Sequence, residues 1–159
     1  MGEPNLKVIL YDHLVVMNSV LTEHIQIHDS IFDPPLRAKI PIPGIFRKIP
    51  FDELYQRAAR NQDKLEGCLL GLKGLTGVDM DDDRAAVQKI REYGICFLAS
   101  SSKLTEIAYE LDLKAQRKNK LSLKEYSRLV DEYRQNEQHR LSKGDSMNEI
   151  VSLLQPSQA

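Results

Sequence analysis

Tryptophan is absent from this chain of 159 residues, and cysteine occurs only twice. Cys68 and Cys96 sit inside apolar runs without the spacing of a zinc site, and two cysteines make no disulfide framework. An excess of one charge is lacking too. With 22 basic and 23 acidic residues the net charge is −1, so no molecule-wide field draws the chain to nucleic acid or to an anionic membrane. No stretch approaches ~18 uncharged apolar residues, so no membrane-spanning helix is expected. The apolar run after Lys7 is broken at Asp12 and His13, unlike a signal peptide. The start MGEPNL lacks the serine or threonine that N-myristoylation takes at the sixth position. A cytoplasmic location is the expectation. Runs of period-two alternation, internal repeats and low-complexity tracts are missing as well, and no glycine-rich loop follows a strand to cradle phosphate.

What the chain does have is concentrated proline. Five of its seven prolines, Pro34, Pro35, Pro41, Pro43 and Pro50, fall between Asp33 and Pro50. They fix φ and remove donors, which disfavours helix and central strand alike. The segment is nevertheless apolar, with Leu36, Ile40, Ile42, Ile45, Phe46 and Ile49, and carries Arg37, Lys39, Arg47 and Lys48 against Asp33. Such composition does not suit a polar disordered linker, and ordered connections beyond ~12–15 residues are uncommon and often functional. It reads as an ordered crossover that either straps its own helices or grips another chain.

Around it the apolar residues recur at three- and four-residue steps. A first helix runs from about Asn5, a reasonable N-cap, to Phe32, and it stops there because Asp33 precedes Pro34. A second opens at Pro50 or Phe51 and ends at Gly74 or Gly77, while Gly67 and Gly71 offer sites of close helix approach. The acidic run Asp79, Asp81, Asp82 and Asp83 caps a third, and Ser100–Ser102 is read as a break before a fourth. Ser122-Leu-Lys-Glu125 forms a capping box for a fifth helix, polar from Arg134 to Arg140, and Ser146-Met-Asn-Glu149 repeats the box before a short sixth that Pro156 ends. The expectation is an all-α fold: one helical domain over residues 1–159, a bundle of five to six helices with the proline-rich crossover at 33–50 and a flexible tail at 155–159.

Few residues point to chemistry. His24 and His28 stand one turn apart beside Glu23, with His13 earlier, but the order is not H-E-x-x-H and no second ligand cluster exists, so no metal or other cofactor is expected. Asp79, Asp81 and Asp83 alternate as in a calcium loop, yet Arg84 stands where the turn needs glycine and Ile90 where the bidentate glutamate belongs. Leu104 to Leu113 looks like the leading helix of a helix-turn-helix, with Ala108 at the crossing. The basic residues Lys114, Arg117, Lys118, Lys120 and Lys124, with no acid among them, would then supply the reading helix and several phosphate contacts. Asp112 replaces the usual turn glycine, and Leu121-Ser122 would end that helix early.

Arg134-Gln-Asn-Glu-Gln-His139 resembles, over these six residues, the Arg-x4-His motif of helical ribonucleases of the HEPN type. The resemblance implies that Arg134 and His139 of paired subunits act on an RNA backbone.

The leading expectation is a non-enzymatic interaction protein, an adaptor, chaperone-like factor or regulatory subunit acting as a homodimer, with Ile40, Ile42, Ile45, Phe46 and Ile49 as the partner-binding set. A DNA-binding regulator using residues 114–124 is the alternative, and a HEPN-like ribonuclease the third.

Overall fold

The computed structural model describes residues 5–34, 48–75 and 81–154. Among these, every regular element is a helix: α1 (Leu6–Phe32), α2 (Phe51–Lys73), α3 (Asp81–Ala115), α4 (Leu123–Asp145) and α5 (Met147–Leu154). None is long and apolar enough to cross a membrane.

Helix starts and stops follow local chemistry. Asn5 Oδ1 accepts the Lys7 N–H at 3.0 Å, and α1 ends where Asp33 leaves the helical region at φ −132° ahead of Pro34. α2 follows Pro50 directly, with Asp52 and Glu53 in its first turn and Lys73 in its last, each on the end of the dipole it complements. Ser122 closes the predicted capping box on α4: its hydroxyl accepts the Glu125 N–H at 3.1 Å, and the Glu125 carboxylate accepts the Ser122 N–H at 3.3 Å.

The expected third and fourth helices are one. α3 runs unbroken for 35 residues, about 50 Å, straight through Ser100–Ser102. Serine there is a packing residue, because Ser100 and Ser101 are fully buried. The Ser100 hydroxyl donates to Glu137, and the Thr105 hydroxyl donates to the Ser101 carbonyl at 2.8 Å, so the Ser100 and Thr105 hydroxyls are satisfied without ending the helix. The second capping box does not form either. Ser146 holds helical angles (φ −75°, ψ −14°) and donates back to the Lys143 carbonyl at 2.8 Å, so α5 continues almost directly from α4.

A reading helix after Leu113, which only the DNA-binding alternative requires, is not formed. α3 stops at Ala115 in a Schellman turn: the Lys118 N–H reaches the Leu113 carbonyl at 2.8 Å and the Arg117 N–H the Lys114 carbonyl at 3.0 Å. Arg117 occupies the left-handed position of that turn at φ 58°, a place that favours glycine. Replacing Arg117 by glycine is expected to stabilise the fold by about 0.5–1 kcal/mol, read as a raised chemical-denaturation midpoint at unchanged slope.

The helices enclose two apolar clusters. One joins Leu10, Leu14, Met17 and Val20 of α1 with Leu65, Cys68 and Leu72 of α2, Ile90 and Phe97 of α3, and Met147, Ile150 and Leu154 of α5. The other joins Ile27 and Ile31 of α1 with Leu54 and Ala58 of α2, Leu104, Ile107 and Ala108 of α3, and Leu129, Val130 and Tyr133 of α4. The longest shared seams are α2 against α3 and α3 against α4. Of the two expected glycine approach sites, Gly67 faces open space. At Gly71 a Cβ would stand 2.6 Å from His13 Cε1, so the close neighbour is an imidazole.

Candidate functional site

Between the two apolar clusters lies a polar layer, one step in the stripe of each helix: His24 on α1, Asn61 on α2, Ser100 and Ser101 on α3, and Glu137 and Arg140 on α4. α1 and α4 are bridged here by long side chains rather than by close backbones. Glu137 is the hub. Arg140 grips it in a fork, Nε to Oε1 and Nη2 to Oε2, both at 2.8 Å. His24 Nε2 reaches Oε1 at 3.1 Å and the Ser100 hydroxyl donates to the same oxygen. A carboxylate only accepts, so His24 carries its proton on Nε2. The Tyr133 hydroxyl lies 3.2 Å from that nitrogen and 2.9 Å from His28 Nδ1.

Aromatic rings wall the layer. His24 meets Phe97 edge to face at 5.3 Å, Arg140 lies 5.5 Å over the same ring, and Phe32 stacks on Tyr133 at 5.7 Å.

The electrostatics follow from these contacts. Burial works against the charged form of Glu137, but the bonds from Arg140, His24 and Ser100 outweigh it and hold its carboxyl well below the usual range. Burial likewise opposes the Arg140 cation, and Glu137 reverses the balance. Burial pushes the Tyr133 phenol far up, with the Glu137 charge adding to it, so the hydroxyl keeps its proton. Burial lowers His28 against the pull of Glu137 and Asp29. His24 is 1% exposed and Arg140 7%. The layer holds a strongly perturbed acid, but every strong group in it is already partnered. Its one orphan is Asn61 Nδ2, which has no hydrogen-bond partner, a cost of about 1–3 kcal/mol.

Of the residues singled out in the sequence, Ile40, Ile42, Ile45 and Phe46 lie outside the described residues. Ile49 is half-buried and packs on the second apolar cluster of its own chain. Lys114, Arg117, Lys118, Lys120 and Lys124 are all exposed, around the α3–α4 connection and the first turn of α4. Arg134 and His139 are exposed, about 140° apart around α4, and the inward positions between and beyond them belong to Glu137 and Arg140. His24 and His28 serve Glu137 and Tyr133. Among the described residues, no group of three or more His, Cys, Asp or Glu gathers as metal ligands would.

Two open apolar surfaces stand out among the described residues. A groove of about 490 Å³ between α1, α4 and α5 opens on Tyr93 and Arg140, whose charge Glu137 already neutralises. A second, of about 330 Å³, lies along the α2–α3 seam on Leu69, Leu70, Ile95 and Leu98, with Glu66, Lys73 and Arg91 at its rim. Leu70 is 71% exposed and Ile95 51%. Sequence periodicity alone assigns no role to Leu70 and Ile95. The signal was there, since both lie off the buried stripes of their helices.

In comparisons with protein-family models, curated proteins and solved structures, none matches the chain.

Proposed function

We propose that this chain is a non-enzymatic interaction protein whose docking surface is the α2–α3 face. The observation that carries the reading is the exposure of Leu70 and Ile95 side by side on one seam, flanked by Leu69 and Leu98. Single exposed apolar residues are ordinary, but a contiguous apolar patch with a charged rim is the form of a protein contact. The strongly perturbed acid at Glu137 is closed off by Arg140, His24 and Ser100, so it supports the fold of a scaffold rather than a reaction. In this reading the five helices act as a bundle that presents one face.

Replacing Leu70 and Ile95 together by aspartate is expected to abolish association while helicity and melting stay close to wild type, because both side chains are already solvated. Sedimentation and affinity capture from the native cell, with circular dichroism as the folding control, check it. If the double variant keeps every association of the wild type, the α2–α3 face is not the docking surface. The alternative, a nucleic-acid regulator, keeps its five exposed cations but lacks the reading helix that would place them in a groove.

A further inference from the structure

We infer that the occupant of the α2–α3 face is a second copy of this chain, packed about a two-fold axis that passes close to Leu70. This rests on the reading of that face as a docking surface and names its partner.

The argument begins with register. α2 and α3 run antiparallel, and the Tyr55 and Tyr109 rings, 5.2 Å apart, show which residues stand level. Continued along the seam, the same register sets Leu69 beside Ile95, Lys73 beside Arg91 and Glu66 beside Leu98, and all six line one groove. The groove is therefore polarised: two cations at one end, an apolar middle, one carboxylate at the other.

Those charges are unspent. Glu66, Lys73 and Arg91 make no ion pair among the described residues, although elsewhere the surface pairs its charges readily, as in Arg57–Glu23, Lys103–Glu132 and Arg128–Glu132.

The order of the residues then selects the partner. On α2, Glu66 lies four residues before Leu70 and Lys73 three after, so acid, leucine and base fall on one helical stripe. A two-fold axis near Leu70 lays a second α2 antiparallel on the first. Leu70 meets its own counterpart, and Glu66 of each copy comes level with Lys73 of the other to within about one residue rise, 1.5 Å. Arg91 adds a second cation at the same end. An isologous contact requires this kind of self-complementary patch, in which each residue finds its opposite on the copy. A foreign partner could use the leucines, but it would place no such demand on the spacing of the flanking charges.

Charge reversal tests it. In sedimentation equilibrium of the full chain at low salt, the wild type is expected to dimerise. Glu66→Lys and Lys73→Glu, each alone, are expected to weaken the dimer roughly tenfold, because each converts two attractive contacts into two repulsive ones. An equimolar mixture of the two variants is expected to recover wild-type affinity, since in the mixed dimer both contacts are again opposite in sign. The recovery should fade as salt is added. Both positions are solvent-facing, and circular dichroism checks that the variants fold.

A wild type that stays monomeric at high micromolar concentration, or reversals that leave self-association unchanged, or a mixture no stronger than its parts, overturns the second copy. The outcome is separable from the broader reading. If the chain is monomeric yet aspartates at Leu70 and Ile95 still abolish capture of another protein, the face docks a foreign partner. If they abolish nothing, the face itself is wrong.

Discussion

Glu137→Gln is expected to lower stability by about 3–5 kcal/mol, the usual cost of removing one partner of a buried ion pair. The amide keeps the shape and can still accept bonds from Ser100 and His24. It cannot neutralise Arg140, which is buried and grips both carboxylate oxygens. Against a total of about 5–15 kcal/mol for a folded domain, this single atom change removes a large share. Replacing Glu137 and Arg140 together by leucine and methionine is expected to cost less than the sum of the single changes, because neither charge is then stranded. Urea unfolding of the four proteins measures the coupling. Equal and additive losses would show that the pair is not a unit.

The same group governs acid stability. The Glu137 carboxyl titrates lower in the folded chain than in the unfolded one, so its contribution is fully present above about pH 4.3 and is lost as pH falls below it. His28 acts in the same direction at higher pH. Its folded value lies below the ordinary 6.5, so acidification through that value favours the unfolded chain, which takes up the proton more readily. Wild-type melting temperatures are expected to slope gently below about pH 6.5 and steeply below about 4.3. Glu137→Gln is expected to shrink the steep limb to the part that Glu23, held low by Arg57, and Glu132, held low by Lys103, still supply. It is expected to keep the gentle one, since Glu137 supports protonation of His28 and its removal moves that group further down.

Phe97→Ala is the second large effect, about 3–5 kcal/mol. The ring is 0% exposed and is shared by three neighbours: the edge of His24, the ring of Tyr93 at 5.8 Å and the guanidinium of Arg140. Its loss removes apolar area and also a face of negative potential from a buried cation. Phe97→Leu separates the two contributions. Leucine retains most of the volume, so a loss of only about 1–2 kcal/mol assigns the remainder to cavity formation. Equal losses for the two variants would place the whole effect in the ring's electrostatics.

The helices were legible because their apolar stripes are regular. Phe32 as a stop, Asn5 as a cap and the Ser122 box rest on backbone rules that need no tertiary context, and they are present as read. Ser100–Ser102 and Ser146 misled for one reason: a serine is a cap only when its hydroxyl has nothing better to bond. Ser100 has Glu137 across the seam, and Ser146 has a carbonyl one turn back. The polar layer was hidden in the same way. Tyr133, Glu137 and Arg140 continue the stripe of Leu129 and Val130 at steps of three and four, but charged residues at those positions read as a solvated helix end. Carrying the spacing through them, and noting His24 and His28 at matching steps on α1, was the available signal. Nothing along the chain could show that Glu66 and Lys73 would be left unpaired, because that depends on which helix lies beside them.

The polar layer also works as an index mark for assembly. Leucine, isoleucine and methionine stripes are nearly interchangeable along their length, so α1 could slide one turn, about 5.4 Å, along α4 and still meet apolar side chains. The layer has no such translation. In a slipped alignment Val20 or Ile27 would face Glu137 in place of His24, and Tyr133 would lose His28. Greasy contacts set how tightly the helices hold; one carboxylate with three donors sets where along one another they must stop.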